Sequence, residues 1–193
     1  MARKYRQKRR AKRQEETRRR IVDATVDLHG TMGPARTSIA AIAERAGVER
    51  PTVYRHFPTM ESLLQACSSQ HWAEFPPPDP EPWLSINDPE VRMRKGLSEL
   101  YAYYALHETR IWVIMRDLEE MPELRPFAAQ RIAHRQRVRD VLAGAWPDRG
   151  VRQKLLVAAI GHAVDFFTWR SLRRQLLTNE EAIEPMVGLV RSV

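Results

Sequence analysis

The sequence predicts an all-α fold in two helical parts, and three observations carry that reading. Apolar residues recur at helical spacing along almost the whole chain of 193 residues. No sustained polar–apolar alternation and no Asn-Gly or Asp-Gly pair marks a strand or hairpin. Residues 76–82 (PPPDPEP) hold five prolines in seven positions, and helix cannot cross a run that lacks amide donors.

The elements follow in order. Ile21, Ala24, Thr25 and Leu28 line one face of a helix that Gly30 and Gly33-Pro34 close. Ser38–Ala46 forms a short helix with Ile39, Ile42, Ala43 and Ala46 inward, capped by Thr37 or Ser38. Gly47 suits the positive φ of a tight turn, Val48 plugs the corner, and a second short helix begins at about Pro51. Phe57-Pro58 breaks it, and Thr59 caps a further helix carrying Leu63, Leu64 and Cys67. The proline run makes 76–87 a stiff connector. Beyond it, helices are expected at 88–108, 110–120, 123–145, 150–174 and 178–192, the last opened by a capping box of Thr178 and Glu181. Pro185 should kink that helix or delay its start.

Charge is the second strong signal. Lys and Arg number 32 against 24 Asp and Glu, a net of +8. Residues 1–20 hold eleven of the cations against Glu15 and Glu16 alone, so the remainder is close to neutral. The expectation is a disordered basic arm over 1–16 that seeks a polyanion, with Arg3, Lys4, Arg6, Lys8, Arg9, Arg10, Lys12 and Arg13 as its contacts. A single cysteine builds neither an intrachain disulfide nor a cysteine metal site, which suits a reducing compartment. No eighteen-residue apolar run spans a membrane and no apolar stretch follows the N-terminal charges, so a soluble cytoplasmic protein is expected.

The informative stretch is TSIAAIAERAGVERPTVYRHF, residues 37–57. Its second helix exposes Arg50, Thr52, Tyr54, Arg55 and His56, a set of donors and a cation that suits the major groove of DNA. A plain helical corner of an all-α protein is the alternative; the donor-rich face and the basic arm weigh against it. With Pro51-Thr52-Val53-Tyr54-Arg55-His56-Phe57 above all, residues 17–75 resemble the tetracycline-repressor (TetR) family of bacterial transcriptional regulators. Residues 158–172 and 180–190 resemble the last two helices of many relatives more weakly.

The resemblance implies an N-terminal three-helix helix-turn-helix DNA-binding domain over 17–75, and a C-terminal helical bundle over 88–193 that binds effector and dimerises. It implies that Thr37, Ser38, Thr52, Tyr54 and His56 hold phosphates of double-stranded DNA, while Arg50, Pro51 and Arg55 face base edges. Two positions depart from the family pattern: Ala40 offers only a methyl group, and Met60 replaces a common phosphate-binding lysine. Function would be that of an effector-responsive repressor, reading the half-sites of a palindromic operator as a homodimer.

Within the bundle, wide apolar arcs mark a dimer interface of Leu156, Ile160, Ala163 and Phe167 with Ile183, Met186, Val187 and Val190; an intramolecular core is the alternative. Tyr101, Tyr104, His107, Trp112, Met115, Phe127, Arg131 and His134 mix aromatic and polar groups as an effector pocket would, and ordinary core packing explains each equally well. The six histidines lack metal-ligand spacing, and there is no phosphate loop, nucleophile elbow or two-metal acidic cluster. No catalysis, metal or cofactor is expected. The competing reading is a non-specific nucleic-acid-binding protein working through the arm alone; a polybasic membrane anchor is weaker still, because the arm lacks bulky apolar residues and lipidation motifs.

Overall fold

The computed structural model describes residues 2–147 and 150–193. Among them lie α1 (Ala2–Thr31), α2 (Ile39–Ala46), α3 (Arg50–His56), α4 (Met60–Glu74), α5 (Pro89–Glu120), α6 (Arg125–Ala143), α7 (Gln153–Ala163), α8 (Phe166–Arg174) and α9 (Asn179–Ser192). The described residues contain no strand. They form two compact units, one of residues 1–76 and 109–127, the other of 77–108 and 128–193. The sequence places 88–193 in one domain; the chain instead groups 109–127 with the N-terminal helices. The boundary falls beside the kink in α5, where His107 leaves helical geometry (φ −117, ψ 18). The two helices expected at 88–108 and 110–120 are thus one interrupted element.

In the first unit, Ile21, Ile42, Val53, Phe57 and Leu63 form a common buried core. The turn between α2 and α3 is built by backbone hydrogen bonds. Gly47 takes a left-handed conformation (φ 63, ψ 43), its N–H donates to the Glu44 carbonyl, and the Val48 N–H donates to Ala43 at 2.9 Å. This Schellman closure satisfies carbonyls that the end of α2 would otherwise orphan. The arm expected to be disordered is helix from Ala2 onward, continuous with the core-forming part of α1. Its Arg, Lys, Gln and Glu residues are good helix formers, and Lys12 meets Glu16 one turn on at 4.0 Å. The side chain of Arg3 and the structure of Met1 lie outside the described residues.

The second unit packs Met93, Leu97, Tyr101, Leu142, Leu156, Ile160 and Trp169 in its interior. The connector is less extended than its prolines suggest, because 81–85 closes a 3-10 turn that buries Trp83, whose Nε1 donates to Glu99 at 2.9 Å. Arg92 is buried without a carboxylate partner, and its guanidinium instead donates to the carbonyls of Leu84, Ile86 and Val141. The helix expected over 150–174 is broken at Val164–Asp165. Asp165 caps α8 by accepting from the Phe167 N–H at 2.8 Å. The capping box at Thr178 and Glu181 forms as the sequence indicates, and these contacts hold the Glu181 carboxyl below its ordinary range. Pro185 sits within α9 on an exposed position, where the missing amide leaves a carbonyl to water.

The turn at Gly47 yields a direct test. A Cβ there would meet nothing closer than Arg20 at 3.7 Å, so only the positive φ opposes a side chain. Gly47→Ala is expected to destabilise the first unit by about 1–2 kcal/mol in urea denaturation. A neutral or stabilising result would show that this turn is not held in its left-handed conformation.

Candidate nucleic-acid interface

The Ser38 Oγ accepts from the Ala41 N–H at 3.1 Å and so caps α2 while remaining exposed. Thr37, half-buried, donates its hydroxyl to the Gly33 carbonyl at 2.7 Å, which orients it beside the start of α2. On α3 only Val53 is buried, and the Phe57 ring that follows is buried with it. This one-sided anchoring leaves Arg50, Pro51, Tyr54 and Arg55 exposed and Thr52 and His56 half-exposed, so the side chains named from the sequence share a solvent-facing surface. Tyr54 is 56 % exposed, far more than a core-forming tyrosine would be. Arg55 Nη2 donates to the Thr52 hydroxyl at 3.2 Å, tying two of the expected contacts together.

No acidic side chain lies on the exposed face of α3 itself. Partial burial, then the positive charges of Arg55 and Arg18, hold the His56 imidazole below its ordinary range, while Glu15 opposes them. Arg18 is held over the Phe57 ring at 4.4 Å. The surface therefore combines an always-charged guanidinium with neutral hydroxyl and imidazole groups, a mixture suited to phosphate oxygens and base edges. Met60 and Ala40 offer no charge, as their side chains dictate.

A second cluster in this unit escaped the sequence reading. Residues 109–120 of α5 clasp the end of α1: Arg110 donates to the Val26 carbonyl at 3.1 Å and stacks over the Phe75 ring at 4.5 Å, and Arg116 donates to the Met32 carbonyl at 2.8 Å. Asp117 is fully buried, accepts from the Ala35 N–H at 2.8 Å and pairs with Arg116 at 2.6 Å. A side chain at Gly33 (φ 95) would collide with that carboxylate. Only the glycine pattern hinted at this contact, since Ala35 and Asp117 are separated by 82 residues. Beneath it, His29 is buried with its Nδ1 3.5 Å from the Cys67 Sγ. Burial holds the imidazole down to about 4 from 6.5, with Asp117 opposing, and pushes the Cys67 thiol up to about 12.

The remaining predicted sites fare differently. Leu156, Ile160, Ala163, Ile183, Met186, Val187 and Val190 are buried within the second unit, so the dimer interface read from them is corrected. Their apolar arcs face one another inside the chain; Phe167, at 40 % exposed, alone of the eight is presented outward. The effector-pocket residues are divided, with Trp112, Met115 and Phe127 in the first unit and the other five in the second. Tyr101 and Tyr104 are buried, and their hydroxyls donate to the Ala163 and Val164 carbonyls at 2.8 and 2.7 Å, satisfying the break between α7 and α8. These two hydroxyls are therefore structural. The His134 Nε2–H donates to the Pro78 carbonyl at 2.8 Å. Among the described residues no helix is long and apolar enough to cross a membrane.

A capped short helix, a left-handed glycine turn and a second helix anchored by one face define a helix-turn-helix DNA-binding domain. Residues 21–67 match the family model described as bacterial regulatory proteins, tetR family. By this domain the chain belongs to the tetR family. The HTH-type transcriptional regulator SrpR of Pseudomonas putida is 41 % identical over 63 residues, which make up 32 % of this chain and 30 % of that protein. The matched region thus spans less than a third of that relative. The fold extends further: a TetR-like transcriptional regulator from Rhodococcus sp. RHA1 superposes with a TM-score of 0.60 at 17 % identity, covering 90 % of this chain and 93 % of that one. The multidrug binding protein EbrR, complexed with imidazole, does so with a TM-score of 0.57 at 24 % identity, covering 89 % and 88 %.

The buried histidine gives the interface a pH dependence. The unfolded chain takes up the His29 proton near pH 6.5 and the folded chain only near pH 4, so its contribution is complete above 6.5 and is lost as pH falls toward 4. At about 1.4 kcal/mol per pH unit, the loss is about 3 kcal/mol. Urea denaturation should show the stability of the wild type falling across this window more steeply than that of His29→Gln. Parallel slopes would exclude His29 as the source.

Proposed function

We propose that the protein is a transcriptional repressor that binds a palindromic operator as a homodimer and is released by a small-molecule effector, in the cytoplasm. The carrying observation is the outward surface of α3 beside the capped start of α2. Thr37, Ser38, Thr52, Tyr54 and His56 take phosphates in this reading, and Arg50, Pro51 and Arg55 face the bases. Two such helices read one operator when they enter successive major grooves, about 34–36 Å apart. An effector acts only through unequal affinity for the DNA-competent and DNA-incompetent arrangements. Support for that coupling lies in α5, a single helix whose residues belong to both units and whose 109–120 segment grips α1. The effector is assigned to the second unit, where Tyr103 and His107 stack at a centroid distance of 4.7 Å beside the α5 kink. The name of EbrR, a multidrug-binding protein of like fold, is consistent with an apolar or aromatic effector.

Selection of bound duplexes from random DNA tests the reading. A palindromic motif should emerge with the full chain and vanish with Tyr54→Ala. Enrichment without any motif, insensitive to Tyr54→Ala, would favour the non-specific alternative in which the arm alone binds nucleic acid.

For the dimer, the buried residues of α7 and α9 leave Leu155, Phe167 and Leu189 as the exposed large apolar side chains of α7, α8 and α9. We assign the partner contact to this outward face. Leu155→Glu combined with Leu189→Glu should convert a dimer to a monomer in sedimentation velocity while leaving helix content unchanged. A dimer that survives both changes would place the interface elsewhere.

A further inference from the structure

The cations of the α1 extension are sorted by type around the helix. At about 100° per residue, Arg6, Arg9, Arg10 and Arg13 fall within about 100° of one another. Lys4, Lys8 and Lys12 fall within about 80° of one another, centred about 150° away, with Glu15 among them. Lys12 is further engaged by Glu16. The arginine side carries no acid. Instead its four arginines share one open cleft, of about 630 Å³, with Arg55 and His56 of α3.

We propose that this arginine face is a second DNA-backbone surface, which takes the phosphates flanking the base pairs read by α3, while the lysine face points to solvent. The proposal rests on the DNA-binding reading above and adds to it the strand outside the half-site. Three arguments carry it. A guanidinium matches a phosphate as a two-pronged fork, which a lysine ammonium does not. Arginines three and four residues apart repel along a helix, and a polyanion relieves that repulsion. Above all, no linker intervenes: α1 runs unbroken from the arginines to Ile21 in the core that also holds Val53 of α3. The face is therefore fixed in phase with the recognition helix, which a flexible polycation would not be.

Phase is the testable property. Inserting one alanine between Gln14 and Glu15 keeps every charge and adds a strong helix former, yet turns the arginines by about 100° relative to α3. Affinity is measured against salt for the full chain, the insertion variant, Arg6, Arg9, Arg10 and Arg13 together changed to Gln, and Tyr54→Ala. The probes are the duplex selected from random DNA by the full chain and a scrambled duplex of equal length, with circular dichroism to verify helix content. Both arm variants should lower the slope of log affinity against log salt by about 3–4, the value for four lost phosphate contacts, and should keep the preference for the selected duplex. A slope lowered by the glutamines but untouched by the insertion would make the arm a flexible polycation and overturn the face. A slope untouched by either would remove the arm from DNA altogether. Tyr54→Ala reports on α3 separately: if it leaves the preference intact, the recognition-helix reading fails whatever the arm variants show.

Discussion

The left-handed turn at Gly47 is the constraint on which the interface depends. A helix of eight residues followed by one of seven has little intrinsic stability, so neither would persist as an isolated segment. What fixes them is geometry. Gly47 reverses the chain within one residue, Val48 returns to bond Ala43, and the two apolar edges, Ile42 and Val53, then reach the same core beside Ile21. With its inner edge committed to that core, α3 has only one direction in which to project Tyr54 and Arg55. The exposure of a large aromatic side chain is thus a consequence of the turn, and it would be a defect in a protein without a ligand for it.

The same unit is tied from its other side by residues distant in sequence. Asp117, wholly buried, would be costly if left unpaired; the Ala35 N–H and the Arg116 guanidinium together satisfy it. Arg110 and Arg116 meanwhile bond carbonyls at Val26 and Met32, near the end of α1. These contacts are polar and directional, and a small displacement of residues 109–120 would break several at once. Packing of aliphatic groups would tolerate such a shift more gradually. A polar clasp of this sort behaves as an on–off connection, which suits a segment expected to transmit a signal.

How far the sequence disclosed these features follows from the range of the interactions. Ser38, Gly47, Thr59 and the Thr178–Glu181 box act within a few residues, and each was legible because its signal and its partner are neighbours. The clasp of Asp117 on Ala35 was not, because nothing local marks a carboxylate as the partner of an amide far earlier in the chain. Leu156, Ile160, Ile183 and Val187 show a different limit. Periodicity says that a face is buried, but the same pattern serves a partner chain and the protein's own neighbouring helix, and here it serves the latter. Tyr101 and Tyr104 resembled pocket residues because the break at Val164 that occupies their hydroxyls leaves no strong mark in an otherwise helical sequence. The arm shows a third limit: a block of like charge signals disorder, yet its residues also favour helix, and the second tendency prevails.

Net charge alone gives an incomplete account of such an arm. The eleven cations of residues 1–20 would attract any polyanion equally well as a coil, and their summed field would be much the same. Helix formation changes what that charge does, because it assigns each side chain a direction. Arginine and lysine differ little in long-range attraction but differ at contact, where the planar guanidinium holds a phosphate in a defined orientation. Sorting them onto opposite sides separates attraction from positioning: the lysines add to a field that extends about one Debye length, some 8 Å at physiological salt, whereas the arginines act only where they touch. Since the helix bearing them is anchored at Ile21 and α3 at Val53 in the same core, the backbone contacts and the base-reading face are presented by a single rigid body. Orientation on DNA, and not merely attraction to it, is what a helical arm contributes.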